Sequence, residues 1–191
     1  MGEPKALVYL DGRPLAARVA GALTAAGVSR VVLVGGEPAW SDRLGLAHVP
    51  DRWPGEGPLG GLATAVLDAP LTPHGSDAIV VVAACDQPWL DAAGLSALVA
   101  ALVGHPQAGA AAPRTPDGRV HPLPSAWRTN TGKRLTTLMA GGARRADAGF
   151  GLVTLVEVPF DQLSLADADT PGDLAGPSSG TGPSLPRPTG S

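Results

Sequence analysis

Cysteine is nearly absent from this chain: Cys85 is the single one in 191 residues. One thiol excludes a disulfide framework and fits a reducing compartment. Aromatic residues make up only 4% against 44% hydrophobic residues, so the core has to be built from Ala, Val and Leu. Charge of one sign is also lacking. A formal net charge of -3 gives no electrostatic case for a nucleic-acid partner. No apolar run reaches the length of a membrane span, and the N-terminus carries no signal-peptide pattern. The expected setting is therefore cytoplasmic, with no membrane partner. No internal repeat and no heptad seam is present.

What is there is one domain's worth of short elements cut by 26 Gly and 20 Pro. The most informative stretch is Ile79-Val80-Val81-Val82-Ala83-Ala84-Cys85-Asp86-Gln87-Pro88-Trp89. It reads as a buried parallel strand that ends on a carboxylate. Ligands of open α/β sheets sit beyond the carboxyl ends of the strands, which puts Asp86 where a metal or substrate is met. A capping role suits Asp91 better, because the apolar-periodic run Leu95, Leu98, Val99, Leu102 starts there.

The remaining pattern alternates helices with strands. Leu15, Val19 and Leu23 form a helical stripe stopped by Gly27, and Val31 to Val34 is a strand. Residues 37 to 57 read as irregular. A helix opens at Gly57-Pro58-Leu59-Gly60-Gly61 and runs to about Asp68, and another spans Asp91 to about Val103. A weak strand at 108 to 113 turns at Asp117-Gly118 and returns through 120 to 127. Thr131 to Ala140 is helical, Leu152 to Val158 is a strand, and Leu163 to Ala168 reads as extended. This order predicts a three-layer α/β/α sandwich with a Rossmann-like, mostly parallel sheet and one late hairpin. Residues 1–176 form the domain. The Ser/Gly/Pro composition of 177–191 predicts a disordered tail.

Asp169 is a second carboxylate after a strand-like run. With Asp86 it could hold one Mg2+ between protein and phosphates, a cation that takes one or two carboxylates. Asp169 could equally cap the Pro171 turn. The glycines at 57 to 61 could offer backbone N–H groups to a ligand or serve a tight packing turn. Arg144-Arg145 is either a solvated pair or an anion clamp. His121 lacks a partner at metal spacing, and Cys85 lacks an activating neighbour, which makes it a small core residue.

Met1-Gly2-Glu3-Pro4-Lys5, Leu10-Asp11-Gly12-Arg13-Pro14-Leu15, Gly57-Pro58-Leu59-Gly60-Gly61, Cys85-Asp86-Gln87-Pro88, His121-Pro122 and Asp169-Thr170-Pro171-Gly172-Asp173-Leu174 follow in this order. Together they resemble the MobA-type nucleotidyltransferases, over residues 1 to about 176. The resemblance implies transfer of GMP from GTP to the phosphate of molybdopterin cofactor, with Mg2+ and release of pyrophosphate. It implies Lys5 and Asp86 as catalytic residues, and Lys5, Asp51, Pro58, Leu59, Gly60, Gly61 and Asp86 as nucleotide-binding residues. Asp86 and Asp169 would be the metal ligands. His121, Arg144 and Arg145 would lie on the acceptor side. The implied partners are GTP, a molybdopterin-type phosphorylated acceptor and molybdoenzyme-maturation proteins.

The family opens with a strand and Leu-Ala-Gly-Gly-x-x-x-Arg-Met-Gly-x-x-Lys. Met1-Gly2 and Lys5 match the close of that signature, so the expectation is an N-terminally truncated domain lacking the first strand and the Gly-rich loop. The alternatives are a non-catalytic relative acting as a binding protein, and a nucleotidyltransferase using CTP or another phosphorylated acceptor.

Overall fold

Short apolar runs punctuated by Gly and Pro become short elements. The computed structural model describes residues 4–68 and 78–168. Asp169, the Pro171 turn and the 177–191 tail lie outside the described residues. A 3-10 turn at Lys5–Leu7 leads into the hairpin β1 (Tyr9–Leu10) and β2 (Arg13–Pro14). Then follow α1 (Leu15–Ala25), β3 (Val32–Val34), α2 (Pro38–Leu44), β4 (Ala47–Val49) and α3 (Pro58–Asp68). The second half contains β5 (Ile79–Val82), α4 (Ala92–Gly104), β6 (Ala110–Arg114), β7 (Ser125–Arg128), α5 (Gly132–Ala140) and β8 (Leu155–Pro159).

The four-stranded sheet has the order β5-β7-β6-β8. β6 and β8 pair in parallel, while β7 is reversed and pairs antiparallel with both β5 and β6. The reversal comes from the expected hairpin at Asp117-Gly118. β3 and β4 form a separate parallel pair.

Alternation along the strands builds the three layers. Ala111, Ala126, Ile79, Val81 and Val158 face Leu95, Leu98 and Leu102 of α4 and Val19 and Leu23 of α1. Ala110, Trp127, Val82 and Leu155 face Leu59, Leu62 and Val66 of α3 and Leu135 and Met139 of α5. Each wholly buried leucine contributes roughly 1.5–3 kcal/mol. The α/β/α sandwich is as the alternation of elements predicts.

Three local expectations are corrected. Residues 37 to 57 are not all irregular. Pro38 at the first helical position and Gly45 at φ 66 frame the short helix α2. The segment Ala47-His48-Val49 becomes a strand only because β3 is there to pair with it. The strand before Asp86 ends at Val82, where its pairing with β7 stops. The segment expected to be extended from Leu163 begins as a 3-10 turn, Leu163–Leu165.

The two parallel-containing sheets do not join. Among the described residues β3 pairs with β4 alone and β5 with β7 alone, while α3 touches both β3 and β5. No helix of the described residues is long and apolar enough to cross a membrane.

Candidate functional site: the C-terminal end of β5

Beyond Val82 the chain leaves the sheet and turns at Cys85 and Asp86. Asp91 caps α4 by accepting from Gly94 N at 2.8 Å, as its position predicts, which leaves Asp86 to other work. Lys5 Nζ donates to Asp86 Oδ2 at 3.2 Å across 81 residues of sequence. The lysine side chain is half exposed and the carboxylate 21% exposed, so the pair is open to solvent on one side. The main chain of Asp86 is also fixed, because its carbonyl accepts from Ala168 N at 2.8 Å. Burial pushes the Cys85 thiol above its ordinary range, with Asp86 adding to the effect, so the residue is no ready nucleophile.

Asp86 forms part of the wall of a cavity of about 800 Å³. Gln87, Arg119, His121, Asp161 and Asp167 also line it. His121 is therefore brought to the same space as Asp86. The sequence reading missed Gln87, Arg119, Asp161 and Asp167. Gln87 stood inside the Cys-Asp-Gln-Pro motif and was legible there, whereas no local pattern marks the other three.

The other expected site residues form a second corner. Asp51 Oδ1 accepts from Trp53 N at 3.0 Å and from Thr64 Oγ1 at 2.9 Å, which ties the segment after β4 to α3. The Gly57–Gly61 run does open α3, with Pro58 exposed and Leu59 and Gly60 buried. Gly57 has φ 87, and a Cβ there would sit 3.0 Å from the Arg144 carbonyl. The Leu59 N–H is taken by that same carbonyl at 3.0 Å, and a Cβ on Gly60 would meet Trp53 at 3.2 Å. These two glycines thus permit close packing, and Gly61 has open space above it.

Arg144 pairs with Glu56 and also donates to the carbonyls of Met139 and Ala143. Arg145 grips Asp147 with two bonds of 3.1 and 2.8 Å, which holds the Asp147 carboxyl below its ordinary range. Neither arginine lines the Asp86 cavity.

A carboxylate at a sheet's carboxyl edge, matched by an ammonium, suits chemistry on a phosphate chain. Comparison with known proteins decides the class. The profile of the MobA-like NTP transferase domain matches residues 1–152. The chain belongs to this family. It is a nucleotidyltransferase with molybdenum cofactor guanylyltransferases among its relatives. The molybdenum cofactor guanylyltransferase of Rhodobacter capsulatus is 37% identical over 179 residues, covering 92% of this chain and 86% of the relative.

Solved structures share the fold. Molybdopterin-guanine dinucleotide biosynthesis protein A from Archaeoglobus fulgidus superposes with a TM-score of 0.68 at 22% identity, over 91% of this chain and 88% of that one. The Mycobacterium tuberculosis H37Rv protein Rv0371c, solved in complex with manganese, gives 0.64 at 21% identity, over 90% and 89%.

Proposed function

We propose that this nucleotidyltransferase moves GMP from GTP to a molybdopterin-type phosphorylated acceptor and releases pyrophosphate. The observation that carries the reading is the Lys5–Asp86 pair at the carboxyl end of β5, opening onto the cavity lined by His121. The naming of the Rhodobacter capsulatus relative supports the choice of base and acceptor.

The donor set fits a divalent cation. One Asp86 oxygen meets Lys5, the carboxylate is partly exposed, and a single carboxylate with phosphate oxygens suffices for Mg2+. Asp86 would hold the ion and Asp169 would be its second protein ligand. Bound there, Mg2+ would supply charge neutralisation on the triphosphate.

The chain's own residues do the rest by position and charge. Lys5 presents its ammonium to the phosphates beside Asp86. The α3 corner, with Asp51 bracing it against Thr64 and Gly61 open above it, receives the nucleoside end. The Asp86 cavity receives the acceptor and points its phosphate at the α-phosphorus. A phosphate oxygen of the acceptor forms the new bond to that phosphorus, and the bond to the β-phosphate oxygen breaks. The acceptor phosphate needs no general base, which agrees with the lack of an activated thiol at Cys85.

The test is GMP transfer from GTP to molybdopterin in the presence of Mg2+. Asp86→Asn removes the formal charge with little change of shape. Turnover should fall by roughly a hundredfold or more, with the thermal midpoint nearly unchanged. Near wild-type turnover in this variant would refute the metal role. Lys5→Ala should weaken binding of GTP more than of guanosine, and equal losses by calorimetry would remove Lys5 from the phosphate site.

A further inference from the structure

The turn between β6 and β7 carries a short chain of hydrogen bonds that ends at the cavity. Thr115 is only 2% exposed. Its Oγ1 lies 2.5 Å from Asp117 Oδ1, 3.1 Å from the Arg119 carbonyl and 3.2 Å from His121 Nε2. A hydroxyl has one proton to give and lone pairs with which to accept. The Asp117 carboxylate and the Arg119 carbonyl can only accept. Aiming the threonine proton at the ring would leave its lone pairs against Asp117 Oδ1 with nothing between them. The proton therefore goes to Asp117, and His121 donates through Nε2.

The partner of one ring nitrogen fixes the role of the other. Burial, helped by Arg119 and opposed by Asp117, pushes the His121 pKa below its ordinary value, so the ring is neutral at pH 7. Nδ1 is then a bare lone pair, and no hydrogen bond to it occurs among the described residues. His121 lines the Asp86 cavity while Thr115 does not, and with Nε2 engaged by Thr115 the ring nitrogen left for a ligand is Nδ1.

Gln87 also lines this cavity. It is 5% exposed, and its Nε2 donates to Leu123 O at 3.2 Å. Its Oε1 is buried with no partner among the described residues.

We propose that Thr115 and Asp117 are positioning residues that lock His121 as a hydrogen-bond acceptor, and that His121 selects an acceptor substrate carrying N–H or O–H donors. This rests on the reading of the cavity as the acceptor site. It adds a specificity element built from a turn rather than from the Cys-Asp-Gln-Pro segment alone.

The experiment has two readouts. The first is nitrogen-15 NMR of histidine-labelled protein without substrate, which reports the His121 tautomer whatever the protein's activity. Nε2–H is expected in the wild type and in Thr115→Ser, with mixed tautomers in Thr115→Val. A wild-type ring protonated on Nδ1, or a Thr115→Val ring unchanged from wild type, overturns the proposal.

The second readout is KM for molybdopterin and for GTP separately. His121→Gln places its amide near the Nε2 position and should raise the molybdopterin KM roughly tenfold or more, with the GTP KM unmoved. His121→Asn places an oxygen near the Nδ1 position and should lose less. Equal rises for both substrates, or no rise in His121→Gln, overturn the proposal. Failure of the wild-type protein to use molybdopterin at all would instead defeat the guanylyl-transfer reading, and it is told apart because the tautomer is read without substrate.

Discussion

β5 and β6 reverse what their side chains suggest. β5 is Ile79-Val80-Val81-Val82, as apolar and β-branched as a strand can be, yet all four residues stay partly exposed. β6 opens with three alanines, Ala110, Ala111 and Ala112, and all three are at 0% exposure. The difference lies in the neighbours. Helices pack on both strands, but among the described residues β6 pairs with β7 on one side and β8 on the other, while β5 pairs with β7 alone. Small residues suit a strand pressed on all sides, because Trp127 and the leucines of α4 need the room they leave. Hydropathy thus locates a strand, but its place in the sheet order sets how deeply it is buried.

The largest effect that sharpens this comparison comes from Trp127, which is wholly buried, stacked on Phe150 at 5.7 Å and bonded through its indole N–H to Ser125. Trp127→Ala should cost about 3–5 kcal/mol, read from the denaturant midpoint. Gly149→Ala should follow, because a Cβ there would sit 2.9 Å from the Trp127 ring and 3.0 Å from Leu135, and overpacking of this kind costs about 1–3 kcal/mol. Val81→Ala on the half-open strand should cost only about 1 kcal/mol. If it matched Trp127→Ala, the distinction between the two strands would be lost.

Hydrogen exchange gives a finer measure. The β6 amides should be protected throughout, whereas alternate amides of β5 point away from β7 and should exchange much faster. Uniform protection along β5 would mean that its open edge is covered.

The smallest effect belongs to Arg52→Ala. Arg52 makes two bonds to Asp68 at the end of α3 and holds that carboxyl below its ordinary value. A lowered carboxylate pKa adds stability above the ordinary value of 3.8 and loses it as the pH falls toward the folded value. The variant should therefore differ slightly from wild type at pH 7 and converge on it in acid. A difference that grew on acidification would contradict the pairing.

Much of the candidate site could be read along the chain because the relevant signals are local. Asp86 closes an apolar run before Pro88, and Lys5 keeps its family spacing from Met1-Gly2. The α4 cap at Asp91 and the turn at Asp117-Gly118 follow from residue chemistry over four positions. Elements such as β4 were not legible. Ala47-His48-Val49 has no strand pattern of its own and becomes one by pairing with β3. Arg144 and Arg145 showed the converse problem, since two adjacent cations announce charge but not the carboxylates, Glu56 and Asp147, that take it up.

The sequence by itself determined the alternation of elements, the family and the two charged side chains that meet at the end of β5, because spacing, caps and motifs are properties of neighbouring residues. Only the tertiary structure decided that β5 stays half open while β6 closes, and that His121 and Gln87 come to one cavity wall with Thr115 bonded to His121. Those outcomes depend on which distant segments come to lie side by side, and an unfolded chain holds no record of that until the sheets and helices pack.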